Sequence, residues 1–217
     1  SPLPVPWKWI MATYDQFTTK GGSGLHYYRS PLLISPDGKY AAYTRIQMQA
    51  EPELYRSRVT SVMFLENLQT GDLQMIVAAS PLAKKSSSKA EASKIPGMIS
   101  ILIPVSWSKD GDRLLARQFE GLFSTSDASD YAVVWQREDN RTLTLSPGRV
   151  DYTNAVLLGW NQSNPEQVLF RAGILGDEEW PLWSVALDGQ TVLASQDRPI
   201  VYGQLVTRAW TGPQVFW

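Results

Sequence analysis

Three stretches of this chain repeat one order of residues, and that order limits the fold more than any other feature. In the first, the apolar run Leu32-Leu33-Ile34 meets Ser35-Pro36-Asp37-Gly38, and Lys39 to Ile46 continues with Tyr40, Ala42, Thr44 and Ile46 on one side. Proline presets φ at the second position of a turn, and glycine tolerates the positive φ that follows. Arg58 to Leu65, the turn Asn67-Leu68-Gln69-Thr70-Gly71-Asp72 and Leu73 to Ala78 complete the unit. The second unit runs Ile99 to Trp107, turn Ser108-Lys109-Asp110-Gly111-Asp112, Arg113 to Phe119, Tyr131 to Arg137, turn Glu138-Asp139-Asn140, and Thr142 to Leu145. The third runs Ala155 to Trp160, turn Asn161 to Pro165, Gln167 to Ala172, Trp183 to Leu187, turn Asp188-Gly189, and Thr191 to Ala194. Short apolar runs separated by turn residues read as antiparallel meanders of four strands. One such sheet cannot bury both faces; several placed radially can, which is the propeller solution.

Helix signals are weak beside this. The 14 prolines and 15 glycines leave few windows long enough for three turns. The best of them, Ser80 to Lys94, has lysines and serines but almost no large apolar side chain, so it reads as a solvated loop. Ser1-Pro2-Leu3-Pro4-Val5-Pro6 reads as a stiff, extended lead-in.

Composition closes off several kinds of chemistry. With no cysteine there is no disulfide framework, zinc ribbon, thiolate nucleophile or iron–sulfur cluster. A single histidine, His26, excludes multi-histidine metal sites. Twenty basic against 21 acidic residues lack the electrostatic signature of a nucleic-acid binder. No phosphate-binding glycine loop occurs, and no apolar stretch approaches the ~20 residues of a spanning helix.

The turn residues carry a resemblance. Ile34-Ser35-Pro36-Asp37-Gly38-Lys39-Tyr40-Ala41-Ala42-Tyr43 resembles the repeat of TolB-like and related WD-like propellers. Val105-Ser106-Trp107-Ser108-Lys109-Asp110-Gly111-Asp112-Arg113-Leu114-Leu115-Ala116 is similar to a second copy, with Lys109 in place of the proline. Leu158-Gly159-Trp160 through Phe170 is similar to a degenerate third. The resemblance covers about residues 31 to 195 and implies a propeller, although a TolB-type ring has six blades and this chain has room for fewer. The expectation is therefore one all-β domain: a small or incomplete β-propeller of about four four-stranded antiparallel blades. Residues 31–79, 99–148 and 152–195 form blades, 80–98 a solvated loop and 196–217 part of a blade that 1–30 completes, so that both termini close the last blade. An open β-sandwich is the remaining option.

No chemical constellation emerges. A triad would need His26 beside Ser23 and Asp15, and Gly22-Ser23-Gly24 only imitates part of a nucleophile elbow. Asp177-Glu178-Glu179 lacks the spacing of a calcium loop and reads as a solvated turn. No catalytic, metal or cofactor residue is assigned. Trp107, Trp160, Trp135 and Trp183 fall on strands and read as packing. Aromatics outside the periodic pattern are candidate anchors for a protein partner, namely Trp7, Trp9, Tyr27, Tyr28 and Trp180. Lys84 and Lys85 are candidates for contact with an acidic partner or an anionic membrane face.

The expected function is a non-enzymatic protein-interaction or scaffold domain. The resemblance implies an exported, bacterial-type protein in a periplasm or thylakoid lumen, serving as an accessory or assembly factor for a membrane complex such as a photosystem. The alternatives are a hydrolase or lyase with its site in the central channel, or a propeller appendage of a peptidase.

Overall fold

A computed structural model describes residues 3–20, 23–77 and 95–207. It opens with helix α1 (Trp7–Thr18) and strand β1 (Gly24–Arg29). There follow β2 (Leu32–Ile34), β3 (Tyr40–Ala50), β4 (Arg58–Asn67) and β5 (Leu73–Ile76). Next come β6 (Met98–Trp107), β7 (Arg113–Leu122), β8 (Ala128–Gln136) and β9 (Arg141–Leu145). The last elements are β10 (Asn154–Asn161), β11 (Val168–Gly173), β12 (Leu182–Val185), β13 (Thr191–Leu193), β14 (Pro199–Ile200) and β15 (Gln204–Val206).

The described residues are all-β apart from α1 and a short 3-10 turn. Strand pairing makes two open sheets, one of ten strands and one of five. Within them, antiparallel pairing runs through three meanders: β2 to β5, β6 to β9 and β10 to β13. The first two share a sheet through one parallel pair, Val59 with Ile99, which makes that sheet mixed.

The repeated turns fold alike for a local reason. Ser35 donates its N–H to Tyr40 O, while its hydroxyl oxygen accepts the Tyr40 N–H and Gly38 N–H binds Ser35 O. Ser108 repeats all three bonds with Arg113 and Gly111. Gly38 and Gly111 have φ of 71° and 76°, a conformation that a Cβ would strain. Asp37 also ties the first turn to the second meander, through Arg137 at 3.1 Å. Burial works to raise its pKa, but hydrogen bonds from Ser35, the Lys39 N–H and Arg137 hold the carboxyl below the ordinary value.

Burial explains why the strands differ in pattern. The second meander is packed on both faces: Leu33, Met63 and Leu65 meet Trp107, Leu114 and Trp135 on one side. On the other, Leu115 and Val134 meet Leu157, Trp160 and Phe170. Met98 to Trp107 is therefore nearly continuous in apolar residues, whereas β3 largely alternates between buried and partly buried positions. Ile10 of α1 joins Ile46, Met48, Val59, Ile99 and Ile101 in a third core cluster.

The first strand of each meander presents one backbone edge to partners outside its own meander, and several elements supply them. One segment, Pro199 to Val206, pairs with β10 at Trp160 and Asn161, bridges Trp107 through Tyr202, and pairs with β2. Higher on β6, Leu102 N–H donates to the Ser61 hydroxyl at 2.7 Å, and Leu102 O accepts from the Thr44 hydroxyl at 2.6 Å. On β10, Leu157 N–H donates to Asp130 and Leu157 O accepts from Arg117, each at 2.8 Å. Side chains from the second and third strands of one meander thus pair the backbone of the first strand of the next. The tryptophans add another link: Trp160 Nε1 donates to Trp107 O, and Trp107 Nε1 to Leu33 O.

Among the described residues the two terminal segments do not pair with one another in a shared blade. Residues 7–18 are helical because Ile10, Thr13, Tyr14 and Phe17 fall on one face at helical spacing. β1 then pairs with the distal half of β3, and β14 and β15 pair with β10 and β2 instead of with the N-terminal segment. Three meanders are present among the described residues, not four. Residues 80–94 of the expected loop lie outside the described residues.

Thr44→Val keeps the side-chain shape but strips the buried Leu102 carbonyl of its donor. It should cost about 1–3 kcal/mol, read as a lower urea midpoint at unchanged m value. Thr142→Val, on exposed β9, should change stability by less than about 0.5 kcal/mol.

Candidate functional site

Strand alternation places two opposite charges in an otherwise apolar face. Leu115, Arg117 and Phe119 on β7 lie opposite Val134, Ala132 and Asp130 on β8. Arg117 Nε lies 2.9 Å from Asp130 Oδ2, and both side chains are buried. Arg117 also donates to Leu3 O at 3.2 Å and to Leu157 O, so it ties the N-terminal segment to the third meander. Asn154 is held beside them, donating to Ala128 O and Ser126 O and accepting from the Thr153 hydroxyl.

Above this polar floor is an open cleft of about 400 Å³. Trp7, Phe119, Val156 and Trp180 make most of its apolar wall, with Pro4 and Val5 at one side. Trp7 meets Phe119 edge to face, ring centroids 5.5 Å apart. Trp180 is set by its indole N–H, which donates to Ile174 O, and by its carbonyl, which accepts from Arg171. It rests on Gly173, where a Cβ would come within 2.5 Å of the indole. Val156 is 39% exposed at the rim.

Burial pushes the Asp130 carboxyl up to about 6, against the opposing pull of Arg117 and the Leu157 N–H. The floor is hydrogen-bonded within the protein, and the cleft above it offers rings and aliphatic groups. Such a cavity takes an apolar or aromatic group and supplies no obvious nucleophile.

The anchors named from sequence separate into groups. Trp7 and Trp180, 173 positions apart in the chain, meet at this cleft. Trp9 and Tyr28, both partly buried, pack on one another at 5.4 Å against the core cluster that includes Ile10 of α1. Tyr27 points to the opposite face of β1 and is 55% exposed. Lys84 and Lys85 lie outside the described residues. His26 Nε2 has no hydrogen-bond partner, and its ring stands 4.2 Å from Phe17. Asp177, Glu178 and Glu179 rim a separate open cleft with Arg171 and Trp180. Among the described residues, no group of three or more His, Asp or Glu side chains is placed to hold a metal ion. No helix among them is long and apolar enough to cross a membrane.

Arg117, Asp130 and Asn154 were not named from sequence. A signal for the first two was present: each interrupts an inward-facing apolar row, with opposite signs on adjacent strands. Compared with known proteins, the chain matches no family model, and no curated protein matches it. The TolB-like likeness thus stays with the turn residues that carry it.

The raised Asp130 pKa sets a direction for stability. Between the ordinary value of 3.8 and about 6, the folded chain binds more protons at this site than the unfolded chain. The cost of burying the charge is present above pH 6 and is relieved as pH falls toward 4. Relative to Asp130→Asn, the wild-type chain should therefore gain stability from pH 7 to pH 4, measured by urea denaturation at each pH. Parallel profiles would show that this carboxyl is not raised.

Proposed function

We propose that this chain is a non-enzymatic protein-interaction domain, built as an incomplete propeller of three blades, whose cleft receives an apolar side chain of a protein partner. The observation that carries the reading is the joining of Trp7, Phe119, Val156 and Trp180 over a floor whose polar groups are already paired. Aromatic rings held by packing present contact area at low entropic cost and are frequent at the centres of protein interfaces. The blade reading is supported by three successive four-stranded meanders, by two cores between neighbouring meanders, and by one C-terminal segment that touches the first strand of all three.

An extracytoplasmic location and a role in assembling a membrane complex draw their support from the resemblance of the Ser35–Gly38 and Ser108–Gly111 turns to TolB-like repeats. They are part of the proposal on that ground alone.

N-acetyl-tryptophanamide serves as a minimal probe of the cleft. Its titration should shift the indole N–H signals of Trp7 and Trp180 in NMR spectra, assigned with Trp7→Phe and Trp180→Phe, and leave those of Trp107 and Trp160 in place. A photo-crosslinker at Val156 should yield one discrete adduct from native extract, and Trp180→Ala should reduce it by about tenfold or more. Gly173→Ala, which displaces the Trp180 ring, should have the same effect. Equal crosslinking by all three proteins would remove the cleft from the reading.

A further inference from the structure

The device that joins successive meanders recurs in the third. After each first strand a backbone bond closes the turn: Ser35 N–H to Tyr40 O, Ser108 N–H to Arg113 O and Asn161 N–H to Gln167 O. Four residues beyond Tyr40, Arg113 and Gln167 stand Thr44, Arg117 and Arg171. Thr44 donates to Leu102 O on β6, and Arg117 to Leu157 O on β10, each the first strand of the next meander. Arg171 alternates with Phe170 and Ala172, which pack toward the second meander, so it points to the opposite face. There it is exposed and donates to Trp180 O. On the same face Val192 of edge strand β13 is 56% exposed, and Asp177, Glu178 and Glu179 rim a cleft with Arg171. At the other end of the stack, the outer face of the first meander is also open. Its residues alternate with Ala42, Met63, Leu65 and Ile76, which pack on the second meander. Tyr43 stacks with Phe64, and Met75 beside them is 66% exposed. β1 pairs with β3 alone, so its second backbone edge has no strand partner among the described residues.

We propose that a second copy of this chain covers both open faces: the first meander of each copy docks on the third meander of the other, with Arg171 set against the partner copy's β1 as Thr44 and Arg117 are set against β6 and β10. This rests on the three-blade reading of the fold and not on what enters the Trp7 cleft. Position, charge and blade count select the occupant. Arg171 holds a place that twice in this chain meets the first strand of a like meander. The outer face of the first meander carries Arg29, Arg45 and Arg58 with Glu66, whereas the third carries three carboxylates with Arg171, so the two faces are opposite in net charge. Propellers close with about four to eight blades. Three fall short of that range, and two copies fall within it. The contact joins unlike faces, and two such contacts related by a two-fold axis leave neither face open.

Sedimentation equilibrium of the chain over a range of concentrations tests this, and the expected species is a dimer of twice 24.3 kDa. Met75→Asp on one face and Val192→Asp on the other should each raise the dimer dissociation constant by about tenfold or more, and Arg171→Met should raise it in the same direction. An equimolar mixture of the Met75→Asp and Val192→Asp variants should form dimers that neither forms alone, because one of the two contacts then carries only native residues. Trp7→Ala should leave the dimer unchanged, which separates these faces from the cleft. Circular dichroism establishes that each variant is folded. A chain that stays monomeric up to its solubility limit overturns the proposal. So does an open series of larger species, a folded Met75 or Val192 variant as dimeric as the wild type, or a mixture no more dimeric than its components. Small-angle X-ray scattering separates the two readings. A monomer whose profile fits three stacked meanders overturns the dimer alone, and a monomer whose profile does not fit them removes the blade reading as well.

Discussion

The structure depends on how the free backbone edge of each meander's first strand is satisfied. β2, β6 and β10 each pair with one neighbour inside their own meander, and the other edge takes its partners from outside it. An unpaired buried amide or carbonyl costs on the order of 1–3 kcal/mol, so three bare edges would undo much of a domain's marginal stability. Two devices meet the need. At one end of the strands, residues 199–206 act as a shared partner for all three. Further along, hydroxyls or charged side chains of the preceding meander pair with the backbone of a leucine.

The buried ion pair is best understood within that scheme. Arg117 and Asp130 do for Leu157 what Thr44 and Ser61 do for Leu102: one donates to the carbonyl and the other accepts from the amide. A threonine and a serine suffice between the first and second meanders. Between the second and third, longer side chains span the contact, and Arg117 has reach left over to hold Leu3 O. The desolvation cost of two charges accompanies this longer reach, and it shows in the raised Asp130 carboxyl. Arg117 and Asp130 also line the cleft. The groups that pair the Leu157 backbone thus also form the floor of the apolar cleft to which a function is ascribed.

The outer face of the first meander shows the opposite situation. Its inner face is covered by the second meander and by α1, while its outer face carries Tyr27, Arg45 and Met75 in the open. In a closed ring another sheet would lie there. Here the Arg29 guanidinium lies over the Tyr43 ring and that of Arg45 near the Tyr27 ring, so cations and rings face one another on a surface open to water.

Much of the fold was legible in order. Strand after strand in the three repeats could be placed from apolar runs and turn residues, because a turn such as Ser35-Pro36-Asp37-Gly38 is decided by φ preferences within a few residues. The even burial of β6 was also visible, as a run of apolar residues without alternation. The helix at residues 7–18 had a signal at helical spacing that the surrounding prolines and glycines obscured. Of the candidate site, Trp7 and Trp180 stood out as aromatics off the pattern, while Arg117, Asp130 and Val156 looked like ordinary strand positions. What the residues determined by themselves is local: where strands run, where they turn and which side of each is apolar. Only the tertiary structure decided which edges meet, that residues 199–206 join all three meanders, and that two tryptophans 173 positions apart share a cleft. Those outcomes depend on backbone groups finding partners far along the chain, and hydrophobic periodicity records only which side of a strand is buried, not against what.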